Sequence, residues 1–228
     1  MTELGSMRWT EVAASRPVLV VPVGSLEQHG PHLPLDTDTR IARAVADRLA
    51  AALPNALVGP PIAIGASGEH DGFPGTLSIG TDALEALVVE LVRSADHFAA
   101  VVLVNAHGGN SATLRAATAS LAGEGRRVRL CRCAVPGGDP HAGRTETSLV
   151  LHLAPDLVDL ERAEAGNTAP WPELEGDILG GGLIAVTGNG VLGDPRGASA
   201  DEGRTLFERM AAGVIEDVTG WLDDGGRA

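Results

Sequence analysis

Short apolar runs alternate with longer segments of helical periodicity through most of the chain. Residues 18–23, 99–104 and 127–135 are typical of buried strands, whereas residues 56–64 are apolar but contain two prolines. Because proline lacks a backbone donor, residues 56–64 are expected to form an edge or broken strand. Uninterrupted apolar strands are typical of parallel sheets that are buried on both faces. The pattern therefore predicts an α/β fold in which helices cover a mostly parallel sheet.

Helices are predicted between and after these strands, at residues 37–53, 82–98, 111–122, 145–153 and 200–222. Residues 166–203, by contrast, are rich in Gly and Pro. We expect an irregular excursion there, around Trp171, that forms a flap or a subunit contact. No repeat or low-complexity linker divides the chain, so residues 1–228 are expected to form a single domain.

Composition narrows the possible partners. The 228 residues carry a net charge of −13, which argues against nucleic acid and anionic membranes as partners. No apolar run is long enough for a membrane span, and the N-terminus lacks the basic-then-apolar pattern of a signal peptide. Cys131 and Cys133 share one strand face, which is poor geometry for a disulfide. We therefore expect a cytoplasmic protein with reduced thiols.

The first candidate site lies in the connection after residues 18–23. It reads GSLEQHGPHLPLDTDT and is longer than most strand-to-helix loops, which favours a functional role. Glu27 and His29 are two residues apart, so an extended backbone points both to one side. Asp38 opens the next helix and can return to the same place. Carboxylate and imidazole ligands suit zinc, iron or manganese. The alternative is a solvated polar loop with a helix-capping aspartate.

Two further polar loops follow strands at the same predicted sheet edge. His107 lies in NAHGGN, directly after residues 99–104, and His141 and Glu146 lie in HAGRTETS. His107 is placed to bind a metal; alternatively, Gly108, Gly109 and the following helix N-terminus cradle a phosphate. Glu146 is a candidate ligand, or a carboxylate that favours the start of a helix.

Taken together, these loops predict a site for hydrolysis. The loops could bind two divalent metals that share one carboxylate. The candidate ligands are Glu27, His29, Asp38, His107 and Glu146. Such ions lower the pKa of water towards about 7 and polarise a carbonyl. His141, outside the ligand set, is placed to protonate a leaving nitrogen. The predicted reaction is hydrolysis of a C–N amide bond. A non-catalytic protein that binds a phosphorylated ligand is the remote alternative, and it predicts no stoichiometric metal.

The chain resembles the creatininase (creatinine amidohydrolase) family over almost its whole length. Five motifs carry the resemblance in family order: GSLEQHGPHLPLDTDT, GEHDGFPGTLSIG, NAHGGN, HAGRTETS and GVLGDPRGAS. The resemblance implies a three-layer α/β/α sandwich, two divalent metals per subunit and a homo-oligomer, often a hexamer. It implies that Glu27, His29, Asp38 and His107 are metal ligands, that Asp38 is the bridge, and that His141 is catalytic.

One departure from the family bears on the substrate. Creatinine-hydrolysing members carry a metal-binding glutamate two residues after the histidine that matches His107, and here that residue is Gly109. Glu146 is therefore the candidate for the missing ligand. The motif wording is most similar to a peptidase branch, which releases a C-terminal modified Val-Tyr unit from the precursor peptide of a redox cofactor. Creatinine stays an alternative substrate because of Trp171, since creatininases close an aromatic flap over their substrate. A small formamide is a further alternative substrate.

The remaining predictions concern metal identity and residues around the ligands. Fe(II) and zinc are expected, together or alone, and manganese also suits such a ligand set. His32 is a candidate partner that orients a ligand. Glu69, His70, Gly108, Gly109 and Trp171 are weaker candidates for substrate binding or ligand orientation.

Overall fold

The computed structural model describes residues 3–225 and contains one four-stranded sheet within that range. Its strands are β1 (Val18–Val23), β2 (Ala56–Val58), β3 (Ala100–Asn105) and β4 (Val128–Arg132). All neighbours are parallel, in the order β2-β1-β3-β4. The predicted parallel sheet is confirmed, with β2 as an edge strand. The single domain over residues 1–228 stays a prediction.

Seven α-helices precede, connect or follow these strands within residues 3–225. They are α1 (Trp9–Ser15), α2 (Thr37–Ala52), α3 (Gly80–Ser94), α4 (Ser111–Gly123), α5 (Arg144–Leu153), α6 (Trp171–Gly181) and α7 (Ala200–Asp223). Gly68–His70 forms a short 3₁₀ turn in the connection between β2 and α3.

The strands are apolar throughout because both faces of the sheet are covered. On β1, Val18 and Val20 pack into a core cluster with residues of α2, α5 and α7. Leu19 and Val21 point to the opposite face and pack with residues of α3 and α4. Alternate residues of a strand point to opposite faces, so one apolar strand supplies both cores. The arrangement confirms the three-layer α/β/α sandwich.

The register of the two central strands determines where the loops meet. Val18 pairs with Ala100 and Val23 with Asn105, so β1 and β3 end at the same level. The connections after β1 and β3 therefore leave the sheet side by side. Loops at the carboxyl ends of parallel strands are the usual binding sites of such sheets.

The predicted irregular excursion was wrong in part, because α6 lies inside it. Leu174 and Ile178, one helical turn apart, are buried in a small cluster with Leu183 and Leu192. This packing stabilises a helix despite the high Gly and Pro content, as tertiary contacts often do. Trp171 is the first residue of α6 and is partly exposed.

The cysteines agree with the sequence. Cys131 and Cys133 are free thiols, as expected. Among residues 3–225, no helix has both the length and the apolar character of a membrane span.

Candidate metal centre

Buried polar side chains converge where β1 and β3 end. Glu27 and His29 follow β1 and are fully buried, and Asp38 lies in the first turn of α2. His107 follows β3, and Glu146 lies in the first turn of α5. The structure thus brings all five candidate ligands into one cluster. Their side-chain atoms form groups whose members lie within 4.8 Å of one another.

The first group consists of Glu27, Asp38 and His107. His107 Nδ1 lies 3.2 Å from Glu27 Oε1 and 3.3 Å from Asp38 Oδ2. One imidazole nitrogen and two carboxylate oxygens therefore surround a single point. We call these three residues the inner group.

The second group consists of His29, Asp38 and Glu146. His29 Nε2 lies 3.2 Å from Asp38 Oδ1 and 3.8 Å from Glu146 Oε2. We call these three residues the outer group. The two oxygens of Asp38 face different groups, Oδ2 towards His107 and Oδ1 towards His29. This is the arrangement that a carboxylate bridging two cations requires.

The cluster contains buried oxygens that the protein leaves without hydrogen bonds. Within residues 3–225, neither oxygen of Glu27 nor Oδ2 of Asp38 accepts a hydrogen bond. Buried carboxylates without partners are costly unless a cation compensates them. Three carboxylates and two imidazoles also match the donor preference of divalent first-row metals. The residues therefore fit two divalent cations, one in each group.

The electrostatics of the cluster lead to the same conclusion. Burial opposes a charge on His29, but Asp38 and then Glu146 outweigh it and raise the pKa of His29 to about 10. Burial, reinforced by the charge of Asp38, raises the pKa of Glu146 to about 7. The excess of negative charge thus drives protons onto the cluster. Divalent cations compete with those protons for the same atoms.

His141 lies beside Glu27 of the inner group. Its Nε2 lies 2.9 Å from the backbone oxygen of Gln28, which can only accept, so Nε2–H donates and Nδ1 carries the lone pair. That Nδ1 lies 3.8 Å from Glu27 Oε1 and belongs to a third group with Glu27 and His29. Burial and then the neighbouring His29 hold the pKa of His141 well below its usual value. His141 is thus neutral and presents a proton acceptor to the site.

Gln28 is a site residue that the sequence analysis missed. The backbone N–H of Gly30 donates to Gln28 Oε1 (2.8 Å), which determines the orientation of the amide. Gln28 Nε2–H then donates to His70 Nδ1 (3.0 Å), leaving the hydrogen of His70 on Nε2. That nitrogen lies 3.1 Å from Glu27 Oε1, a polar contact outside hydrogen-bond geometry. Gln28 and His70 therefore position the Glu27 carboxylate. In the sequence, only the position of Gln28 between Glu27 and His29 indicated a role in the site.

Glu69 occupies the space beside Gly109. A Cβ atom at position 109 would lie 2.1 Å from Glu69 Oε1. The same oxygen lies 3.3 Å from His107 Nε2 and contacts the ring on the side away from the inner group. A glutamate at position 109 therefore requires Glu69 to move. Creatinine-hydrolysing members carry a glutamate at the position of Gly109, and here the carboxylate of Glu69 lies beside that glycine instead.

The remaining candidates lie outside the three groups. His32 Nε2 bonds to Thr147 Oγ1 (2.9 Å) and ties the first loop to α5; burial lowers the pKa of His32 to about 4. A Cβ atom at Gly108 would meet nothing within 4 Å, so this residue borders open space. Trp171 lines a neighbouring depression. Glu69 next to Gly109 gives the proposed phosphate cradle a negative neighbour, which disfavours an anion.

The chain is similar in sequence and in structure to several known proteins. The family model described as creatinine amidohydrolase matches residues 5–218. The mycofactocin precursor peptide peptidase of Mycobacterium tuberculosis (strain CDC 1551 / Oshkosh) is 51% identical over 230 residues, covering 96% of this chain and 92% of that protein. A structure titled "Creatininase Mn" has a TM-score of 0.80 and 30% identity, covering 95% of this chain and 97% of that one. A mutant creatininase of Zn-Zn type has a TM-score of 0.80 and 29% identity, covering 94% and 96%.

Proposed function

The chain belongs to the creatininase family, and on that premise we propose that it cleaves the mycofactocin precursor peptide and releases its C-terminal modified Val-Tyr unit. The family and the peptidase relative make it a hydrolase of C–N amide bonds. The identity of 51% to a protein with that printed function supports the choice of substrate. The pairing of Gly109 with Glu69 supports it too, because it departs from creatinine-hydrolysing members.

One observation carries the proposed chemistry: two ligand groups share Asp38. The inner group would hold one cation and the outer group a second, two per subunit. Bound there, divalent ions supply Lewis acidity for the amide carbonyl and lower the pKa of the attacking water. Creatininase structures described with manganese and with zinc support these metals. Fe(II) suits the same ligand set.

The residues around the ligands would then position and transfer protons. Gln28 and His70 hold the Glu27 carboxylate in place. His141 presents its Nδ1 lone pair to the cluster and can accept a proton from the attacking water. It can then donate that proton to the leaving nitrogen, which breaks the C–N bond. Its backbone contact to Gln28 maintains the tautomer that both steps require.

A creatininase-like activity on creatinine or a small formamide is the second candidate. Trp171, partly exposed at the start of α6, is the observation that favours it, since an aromatic side chain there can cover a ring. The carboxylate of Glu69 beside Gly109 disfavours it, because it changes the environment of His107.

A mass-spectrometric cleavage assay tests the proposal. Protein reconstituted with Fe(II) or zinc is given the modified precursor peptide, with creatinine as the parallel substrate. We expect release of the C-terminal dipeptide unit, abolished by a chelator. Creatinine turnover without peptide cleavage would reverse the order of the two candidates. The homo-oligomer and the cytoplasmic location stay predictions. Light scattering tests the first of them.

A further inference from the structure

We propose that a groove between β4 and α7 binds an acidic segment of the peptide substrate that precedes the scissile bond. Arg132 and Arg209 would bind its carboxylates. The inference rests on the proposed function and adds a substrate-binding surface to it. We call this surface, which runs from Arg132 past Arg209 to Pro140, the arginine groove.

The groove is continuous with the metal centre. A depression of about 200 Å³ contains Asp38, His107, His141 and Glu146. A larger one of about 660 Å³ shares the wall 138–140 with it and extends to Arg209. A third, of about 480 Å³, shares Arg209 with the second and extends along β4. A peptide whose end reaches the metals therefore has an open path for its preceding residues.

The charges along this path favour an acidic ligand. The carboxylates that line it are already engaged: Asp217 with Arg129 (3.0 Å), Glu202 with Arg144 (2.8 Å), Asp194 with Arg196 (2.7 Å), and Asp139 with the backbone N–H of Thr145 (2.8 Å). Arg132 and Arg209 are exposed and form no ion pair with any residue in the range 3–225. The path therefore has two positive charges without an ion-pair partner, those of Arg132 and Arg209, against one such negative charge, that of Asp139, on a protein whose net charge is −13.

The backbone of β4 adds a second mode of recognition. β4 is an edge strand, and residues 129–132 line the groove. Cys133 N–H donates to Asn105 O, so the alternation of the strand directs the backbone groups of Leu130 and Arg132 towards the open edge. An extended peptide can add to such an edge through main-chain hydrogen bonds. Arginine forks then bind carboxylates bidentately, which places the acidic side chains.

Charge reversal at Arg209 and Arg132 tests the groove. The metal-loaded enzyme is given two synthetic peptides that end in the modified Val-Tyr unit: an acidic one with Asp and Glu before the scissile bond, and a neutral one with Asn and Gln at the same positions. We expect Arg209→Glu to raise KM for the acidic peptide about fivefold, with kcat within about twofold, and Arg132→Glu to raise it less. Neither variant should change KM for the neutral peptide. Arg16→Glu, an equal charge change at an exposed site at the end of α1, is the control and should change neither value.

Ionic strength supplies an independent readout. Raising the salt concentration from about 50 mM to about 500 mM should raise the wild-type KM for the acidic peptide, because screening weakens exposed charge pairs. The effect should be smaller in Arg209→Glu, and Arg209→Lys should retain most of it. Equal KM changes for both peptides, or none for either, would overturn the proposal. So would dissociation of an oligomer by Arg132→Glu, since the surface would then be a subunit contact.

A binding measurement separates this inference from the proposed function. If the wild-type enzyme cleaves neither peptide, the proposed substrate is wrong. Fluorescence anisotropy with the labelled acidic peptide then decides about the groove alone. Binding that Arg209→Glu weakens and Arg16→Glu does not would support the groove; absence of binding to the wild type would overturn it.

Discussion

The two ligand groups share Asp38 but differ in how the fold supports them. Two of the three residues of the inner group, Glu27 and His107, follow the two central strands, and each side chain of the group is at most 5% exposed. The outer group depends on Glu146, whose side chain is 18% exposed and which belongs to α5, beyond the edge strand β4. One group is thus held by the centre of the sheet and the other by its periphery.

The two groups also differ in how far the protein satisfies them. Both oxygens of Glu27 lack hydrogen bonds, whereas Glu146 Oε2 accepts one from the backbone N–H of Ala142 (2.6 Å). A cation in the inner group therefore breaks no hydrogen bond of Glu27, while one in the outer group competes with the existing bond to Glu146. We expect the inner cation to bind more tightly and the outer cation to exchange more readily.

Loss of the shared ligand should have the largest effect. Asp38→Ala removes an oxygen from both groups, so we expect no bound metal and a fall in turnover of more than about 100-fold. Inductively coupled plasma mass spectrometry measures the metal content. Asp36→Ala is the matched control, because Asp36 forms an ion pair with Arg40 away from the cluster (2.7 Å). A variant at Asp38 that kept two metals would remove this residue from the bridge.

Loss of the peripheral ligand should separate the two groups. Glu146→Gln keeps the shape of the side chain but removes its charge, so we expect one cation to remain, in the inner group. Metal content after dialysis measures the loss, with the exposed Glu161→Gln as the control. Retention of both cations would show that the outer group has another ligand.

Loss of a positioning residue should affect the inner group alone. His70→Ala removes the contact to Glu27 Oε1, and we expect the affinity for the inner cation to fall about tenfold, with the outer one unchanged. Competition with a chromophoric zinc chelator measures both affinities. His97→Ala, at an exposed site, is the control. An equal loss in both groups would contradict the separate support of the inner group.

His141 should change turnover without changing metal content. His141→Ala removes the proton acceptor beside both groups, and general acid–base catalysis is worth about 100-fold or more. We expect two metals and a cleavage rate lower by that factor, measured on the same protein preparation. Loss of a metal would make His141 a ligand instead.

The fold was largely predictable because its strands are simple to identify. β1 and α2 lie where the sequence placed them, since every residue of β1 is buried and Pro54 lies just beyond α2. α6 was not predictable, because its stability comes from packing with Leu183 and Leu192 rather than from its own composition. α3 ends at Ser94, four residues before the predicted end.

The residues that converge at the site were predictable, but several of the contacts around them were not. The sequence indicated that Glu27, His29 and His107 would follow strands, and parallel strands bring such residues together. It contained no sign that Glu69 Oε1 lies where a side chain at Gly109 would extend, because the contact joins two loops far apart in the chain. Contacts of this kind depend on the final packing of loops rather than on the local sequence pattern.

The central claim is that two cations, held by groups that share Asp38, are both required for hydrolysis. A zinc titration of metal-stripped wild-type protein, followed by peptide cleavage at each step, tests it most directly. The account predicts that the first equivalent fills the inner group with little activity and that the second produces full turnover. Full activity after one equivalent would contradict it.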